Sequence, residues 1–442
     1  MSTAKENTGI NISVKSFITA IVVIFVLMVL TYGLTFVIPG GGIPFWKWAL
    51  SPILVLGAEG NGSLIAVIVF LLVIGGIFNC LDKCGLMQYM LDTITDRFGK
   101  EKYKLLALIT LFFMAMGSMI GSFEEAVPMV PIVAALAVRL GWNPLVGLGM
   151  SILAIGCGFS AGICNPFTVG VAQELAGLPM FSGIWFRIVS FVLVYGLLLA
   201  FLYFYAKKIE KPVDHDEYKQ NFLYDAKMAK GLKLFAGIMC GGILLVLSSV
   251  VFTFLQDITM IIVAVTFLVA GITAVIATGR GGNIPMTFLG GVSGVFAAVF
   301  MILMANSIKY TMVEGNILEP ILQGMIEIAA TLPGWSVILF IYLIVLVLNF
   351  FISSGSAKAF LLIPLIVPIA ETFGISAQLC ILAFAFGDGF SNVLYPTNPV
   401  LLISLGLVDV DYGKWYKWSL KFQLMNILLT SALLLLGYII GY

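Results

Sequence analysis

Apolar stretches of about 20 residues, separated by short polar turns, run the length of the chain, and a helix rising 1.5 Å per residue needs about that many to cross a hydrocarbon core. Phe17 to Ile38 is the first; Ser63 to Asn79, Ile184 to Ala206 and Met260 to Thr278 are others. Two long apolar runs carry a polar interruption midway, Gly121-Ser-Phe-Glu-Glu-Ala-Val-Pro-Met-Val-Pro131 and Ser354-Gly-Ser-Ala-Lys-Ala-Phe-Leu-Leu-Ile-Pro364. Sliding the sequence by 364 − 131 = 233 positions lays the second over the first, and the match continues without a gap. At that offset Ala126 meets Ala359, Gly141 meets Gly374, Gly156 meets Gly389, Asn165 meets Asn398, Pro166 meets Pro399 and Trp185 meets Trp418. Matched alanines and glycines mean little in so apolar a chain, but Asn-Pro on Asn-Pro and Trp on Trp mark a duplicated membrane protein whose two copies each carry a broken segment near mid-bilayer.

Charge orients the repeats. Lys5 and Lys15 precede the first run, so residues 1–16 are expected in the cytoplasm. Trp46 and Trp48 follow that run on the outer side as interfacial anchors. The first repeat covers 17–206, with a re-entrant hairpin over about 103–140 and a broken helix over 144–176. Both feet of the hairpin are basic (Lys100, Lys102, Lys104; Arg139), so it opens to the cytoplasmic side. Before it, Leu81, Leu86, Met90, Leu91 and Ile94 recur at helical spacing among charges, which predicts a helix lying at the interface. Residues 207–233 read as a charged cytoplasmic linker, and one extra helix over 234–255 inverts the second repeat, 256–442. There Met286 to Ala305 spans and Asn306 to Thr331 is the amphipathic counterpart. The second hairpin covers about 335–372, and the second broken helix 376–406 unwinds at Gly387-Asp-Gly-Phe-Ser-Asn392 and at Tyr395-Pro-Thr-Asn-Pro399. Lys414, Lys417 and Lys421 mark a last cytoplasmic turn, and Phe422 to Ile440 leaves the C-terminus outside. The predicted fold class is an all-α integral membrane protein of two inverted-topology repeats with re-entrant hairpins and broken helices.

Composition agrees: 61% of 442 residues are hydrophobic and 10% charged, which excludes a soluble globular protein. The net charge of +1, with positives gathered at loop ends, excludes nucleic acid as a partner and leaves membrane lipid and a small-molecule substrate. Met1 to Ser16 is polar and the run behind it is long enough to span, so the first helix is expected to be retained. The six cysteines lack metal or redox spacing, and the single histidine, His215, has no second histidine to share a metal. The sequence has no Gly-x-x-x-x-Gly-Lys-Ser/Thr loop, which speaks against ATP-driven transport, and no cofactor is expected.

Candidate chemistry lies at the breaks, because unwound backbone at membrane depth must be satisfied by protein, water or ligand. Asn165-Pro166 and Asn398-Pro399 pair a favoured N-cap with a residue suited to the first helical turn, so each starts a half-helix whose positive end faces the membrane centre and suits a carboxylate. Thr168, Thr397 and Asn392 add polar groups beside them. Ser122 and Glu125 have the spacing of a capping box, or are direct ligands. Glu124 has no capping role, and an intramembrane carboxylate is expected to carry a proton, ligate a cation or meet a basic substrate group. In the opposite tip, Ser354, Gly355 and Ser356 precede Lys358, which is open to three readings: pairing with a glutamate, binding a substrate carboxylate, or snorkelling outward. Asp388 is a candidate coupling-ion or substrate ligand. Glu174 and Glu371, near helix ends, read as solvated.

At these residues the chain resembles the YfcC family of carriers, relatives of the DcuC-type dicarboxylate carriers and ArcD-type basic amino acid exchangers in the ion transporter superfamily. The resemblance rests on Gly121 to Glu125, Gly158 to Gln173, Ser354 to Ser356, Phe386 to Asn392 and Pro396-Thr397, with Leu34 to Gly41 also familial, and covers essentially the whole chain. It implies an inner-membrane secondary transporter, a homodimer, with scaffold helices holding a mobile transport unit that moves as an elevator. Lys358 departs from it, since an uncharged polar residue is expected after Ser-Gly-Ser. The function expected is carriage of a small carboxylate-bearing solute, an amino acid such as arginine or ornithine, because two glutamates at one tip would repel a dianion. Substrate ligands would be Ser122, Glu124, Asn165, Thr168, Ser354, Gly355, Ser356, Lys358, Thr397 and Asn398. Glu124, Glu125, Asp388 and Asn392 would couple a proton or sodium, with sodium near Asn165 and Asn398. A C4-dicarboxylate carrier is the first alternative and a channel the second. An intramembrane aspartyl protease lacks the second deep aspartate it needs.

Overall fold

A computed structural model describes residues 14–58, 62–119, 121, 123–179, 181–212, 224–248, 252 and 258–442. Among these residues the chain is helical without a strand, and nine helices are long and apolar enough to cross a membrane. Val14–Val37 opens the described chain, so helix begins within the segment expected to be a polar terminus. Gly62–Lys83 bends by 73° into Leu86–Phe98, the predicted interfacial helix.

Each repeat then supplies a hairpin and a broken helix. In the first, Lys102–Met119 and Val130–Arg139 are the hairpin arms, and Pro144–Ala161 is followed, after the Asn165 break, by a half-helix ending at Leu175. In the second, Gly334–Phe351 and Gly355–Thr372 are the arms, and Ala377–Asn392 and Pro399–Leu407 the broken helix. The hairpins open to opposite ends of the molecule. The feet of the first lie at the far end of Ile184–Ile209, where Lys102 Nζ pairs with Glu210 and Lys211 N donates to Gly141 O at 2.9 Å. The foot of the second lies at the near end of the same helix: Ser376 Oγ donates to Tyr442 O, and Tyr442 Oη donates to Gly183 O at 2.7 Å. Twenty-six residues separate those ends, about 39 Å of helix.

Burial sorts the helices. Of Pro144–Ala161, 94% is buried, against 22% of an apolar 18-residue stretch of Ile184–Ile209, so the broken helix runs through the middle while the other turns side chains such as Phe204 to lipid. Two apolar cores form. One joins both hairpins and both broken helices. A smaller one joins Gly62–Lys83, Leu86–Phe98, Ala226–Ser248 and Thr259–Thr278.

Five expectations need correction. The linker is shorter than 207–233, because Ala226–Ser248 replaces the helix expected over 234–255; the Asp225 carboxylate caps it, accepting from Lys227 N at 2.9 Å, and pairs with Arg280 at 2.8 Å. His215 lies outside the described residues. The second-repeat span does not stop at Ala305: Phe296–Glu314 carries on, because Asn306, Ser307 and Thr311 return their polar groups to Ile302 O, Leu303 O and Ser307 O within the helix, and the amphipathic counterpart shrinks to Leu318–Ala330. Ala377–Asn392 is unbroken, so Asp388 lies on a regular helix. The last helix starts at Tyr412, ten residues early. Trp46 is exposed as an anchor would be, but Trp48 is buried, donating from Nε1 to Met28 O at 3.1 Å.

Candidate functional site

The first break is held by the first hairpin. Ser118, next to the end of its first arm, accepts from Ile163 N through Oγ at 3.0 Å and from Cys164 N through its carbonyl at 3.1 Å. Those amides have left the helix at Gly162, and buried N–H groups without partners would cost about 1–3 kcal/mol each. Asn165 then caps the half-helix, its Oδ1 accepting from Thr168 N at 3.2 Å, and Gly170 N reaches back to Asn165 O at 3.0 Å, a π turn of the kind often found at functional sites. Gly121 lies directly against the Asn165 side chain with φ of +76°, a conformation that only glycine adopts without strain.

The second hairpin meets this break from the other half. Gly355 is so close to Thr168 and Asp388 that a Cβ there would collide with Thr168 Cγ2 and Asp388 Oδ2. One turn on, Lys358 Nζ donates to both Asp388 Oδ1 and Asn349 Oδ1, all three side chains being fully enclosed. Asn349 Nδ2 is itself held by Asp388 O at 2.8 Å, Ser391 Oγ at 2.6 Å and Asn392 Oδ1 at 3.1 Å. Taking two charges out of water costs several kcal/mol per ion, and the extra hydrogen bonds here offset part of it.

Lys358 thus pairs with an aspartate, not a glutamate, and does not snorkel. The break after Ala377–Asn392 is confined to 393–398, anchored by Trp415 Nε1 donating to Val393 O at 2.8 Å. Asn398 caps Pro399–Leu407 as expected, its Oδ1 accepting from Val400 N at 2.9 Å. That half-helix packs on the 3-10 turn Glu124–Met129 of the first tip, and Gly355–Thr372 packs on Pro166–Gly170, so each hairpin covers the opposite half's break.

The predicted residues therefore fall into groups. Asn165, Thr168, Gly355, Lys358, Asp388 and Asn392 are brought together and, Gly355 apart, buried. Thr397 and Asn398, also buried, lie at the second break. Ser354 is exposed at the tip, capping its helix through Ala357 N at 3.4 Å, and Ser356 is half-buried. Ser122 and the side chains of Glu124 and Glu125 lie outside the described residues. Phe123 occupies the cap of the 3-10 turn, one position later than a Ser122 to Glu125 capping box requires. Glu174 and Glu371 are exposed, as read. Among the described residues no three His, Cys, Asp or Glu cluster as a metal site, so any cation near Asn165 or Asn398 would rest on amide, hydroxyl and backbone oxygens.

Sequence reasoning missed Asn349, the organising amide of this network, and Arg187, a buried guanidinium whose Nη2 donates to Phe181 O at 3.1 Å. Each is the lone strongly polar side chain in a long apolar run, and that isolation was the available signal.

A polar cluster enclosed where two opposed hairpins meet two broken helices defines a membrane transporter rather than an enzyme, and the chain's relatives agree. The family model "DcuC: C4-dicarboxylate anaerobic carrier" matches residues 50–439, and the chain belongs to that family. It is 29% identical over 407 residues to the "Putative basic amino acid antiporter YfcC" of Escherichia coli K12, covering 86% of this chain and 79% of that one. A protein of Haemophilus influenzae described as uncharacterized is 25% identical over 408 residues, 86% of this chain and 76% of that one. Among solved structures, the Alcanivorax borkumensis YdaH transporter aligns over 96% of this chain and 99% of its own at 16% identity and a TM-score of 0.48, too loose a likeness to transfer a site or a motion.

Proposed function

We propose that this chain is a secondary active transporter of a small carboxylate-bearing solute, in first place an amino acid with a cationic side chain such as arginine or ornithine, moved by ion symport or exchange. The observation that carries the reading is the Lys358–Asp388 pair. A dianion needs positive charge at the site, and the lysine of the second tip is already neutralised within the protein. The first tip contributes Glu124 and Glu125 by sequence, a balance that suits a cationic or zwitterionic solute. The name of the Escherichia coli relative supports the same choice, and the family description supports the dicarboxylate alternative.

In this reading Glu124 meets the solute's cationic group, and the amides and hydroxyls of Asn165, Thr168, Thr397 and Asn398, with Ser122, Ser354, Gly355 and Ser356 at the tips, meet its carboxylate. Glu125, Asp388 and Asn392 serve coupling. The hairpins and broken helices travel as a unit against the remaining helices, an elevator, and the smaller core of Gly62–Lys83, Leu86–Phe98, Ala226–Ser248 and Thr259–Thr278 lies outside that unit. The protein resides as a homodimer in the cytoplasmic membrane, with its N-terminus inside and its C-terminus outside.

Counterflow in proteoliposomes loaded in turn with arginine, ornithine, lysine, succinate and fumarate tests this. Saturable counterflow of arginine or ornithine, resistant to succinate and lost in Glu124→Gln, is expected. Counterflow of succinate unaffected by ornithine would overturn the substrate class, and steady single-channel currents would replace carrier by pore.

A further inference from the structure

Lys358 Nζ does not sit in an ordinary two-member ion pair. Its partners are one carboxylate oxygen, Asp388 Oδ1, and one amide oxygen, Asn349 Oδ1. The amide cannot turn round: the two hydrogens of its Nδ2 are shared among three acceptors, Asp388 O, Ser391 Oγ and Asn392 Oδ1, which aims Oδ1 at the ammonium. Two residues meet beside it at Gly355, Asp388 with its second oxygen and Thr168 with its Cγ2 methyl. Asp388 Oδ2 and Thr168 Oγ1 are buried and have no hydrogen-bond partner, and both residues are in reach of the Gly355 position. Carboxylate and amide carbonyl, contributed by two helices of one half, are hard oxygen donors of the kind that hold a small cation. A lysine ammonium is a compact point charge of similar demand, on a flexible stem.

We infer that Lys358 is a tethered counter-cation: its ammonium fills, from within the chain, an alkali-cation site formed by Asn349 and Asp388, so that no free sodium ion is needed at this position. The consequence for coupling rests on the transporter reading above, but the site itself is a statement about binding. Two other roles fit the geometry less well. A lysine that received a substrate carboxylate would need an open coordination side, and this one is fully enclosed. A pair serving packing alone would not fix an amide in one orientation by spending both its hydrogens on backbone and side-chain acceptors, or leave Asp388 Oδ2 unsatisfied beside it.

The test removes the tether and supplies the cation from solution. Full-length Lys358→Ala and Lys358→Met proteins are melted in choline chloride and then with sodium, lithium, potassium or ethylammonium at about 100 mM. Binding to the folded state raises the melting midpoint, here by about 3 °C or more for sodium or ethylammonium, with wild type unmoved. Adding Asp388→Asn to either variant abolishes the response. Should neither single variant survive purification in choline, recovery in sodium or ethylammonium is the same reading. Equal behaviour in all salts, or a sodium response that persists in the Asp388→Asn double variant, overturns the inference. A carrier of dicarboxylates would still pass this test, so its failure and that of the substrate assignment are separate.

Discussion

The Lys358–Asp388 pair gives the most direct check on the energetics of the site. Lys358→Met leaves the Asp388 carboxylate fully buried with one oxygen already unpartnered and the other newly so. Asp388→Asn leaves a buried ammonium with the neutral Asn349 amide as its main acceptor. Removing one member of such a pair costs about 3–5 kcal/mol, because the charge that stays has no compensation. Removing both, in Lys358→Met with Asp388→Asn, leaves no buried charge, so the cost falls to that of a buried amide short of partners, about 1–3 kcal/mol. The double variant is therefore more stable than either single variant, by about 2 kcal/mol, and the interaction energy of the cycle falls at or above the upper end of the range for residues in contact. Equilibrium unfolding of the four proteins in mild detergent, titrated with a denaturing surfactant in choline buffer, reads this directly. A double variant as unstable as the sum of the singles would refute the reasoning, since the two charges would then not be each other's partners in solution.

Two further outcomes follow from the geometry. Gly355→Val places methyl groups where Asp388 Oδ2 and Thr168 Cγ2 stand; overpacking of this kind costs about 1–3 kcal/mol, so counterflow is expected to fall at least about 10-fold while the protein still folds, and undiminished counterflow would show that the tip does not seat there. Glu210, beyond the end of its helix, is held below the ordinary carboxylate value of 4.5, first by its hydrogen bond with Lys102 and then by that with Tyr103. A depressed folded value means stabilisation that is full above the unfolded pKa and drains as pH falls through the lowered one; both partners are partly exposed, so it amounts to no more than about 1 kcal/mol, and Glu210→Gln should lose that acid-side slope below pH 4.5.

Much of this architecture was legible because membrane depth makes polar residues conspicuous. The two polar hairpin tips gave the offset of 233 positions, and at that offset Asn165-Pro166 and Asn398-Pro399, each a favoured cap followed by a residue suited to the first turn, announced both breaks. The errors have physical causes. Gly387-Asp388-Gly389 suggested unwinding, because glycine costs about 1 kcal/mol in a helix. Here the glycines serve close packing: Gly387 lies on Val345 and Tyr342 O, and Gly389 on the backbone of Ser160, so burial outweighs propensity. Asn306, Ser307 and Thr311 resembled a solvated face because sequence does not reveal that each is satisfied by its own helix. The partner of Lys358 was beyond reach for another reason. Asp388 is 30 positions away, on a helix brought alongside only by tertiary packing.

The crossing of the two broken helices has a consequence for how such a chain can vary. With Gly389 seated on Ser160 and Gly156 against the Val393 side chain, the glycine side of each contact between the halves has no room for a Cβ. A chimera joining the front of this protein to the back of a cousin would inherit each side of that crossing from a different parent. Only combinations that keep glycine opposite the side chain it now receives, Ser160 at one point and Val393 at the other, will close, so the two duplicates, once identical, are now bound to change in step.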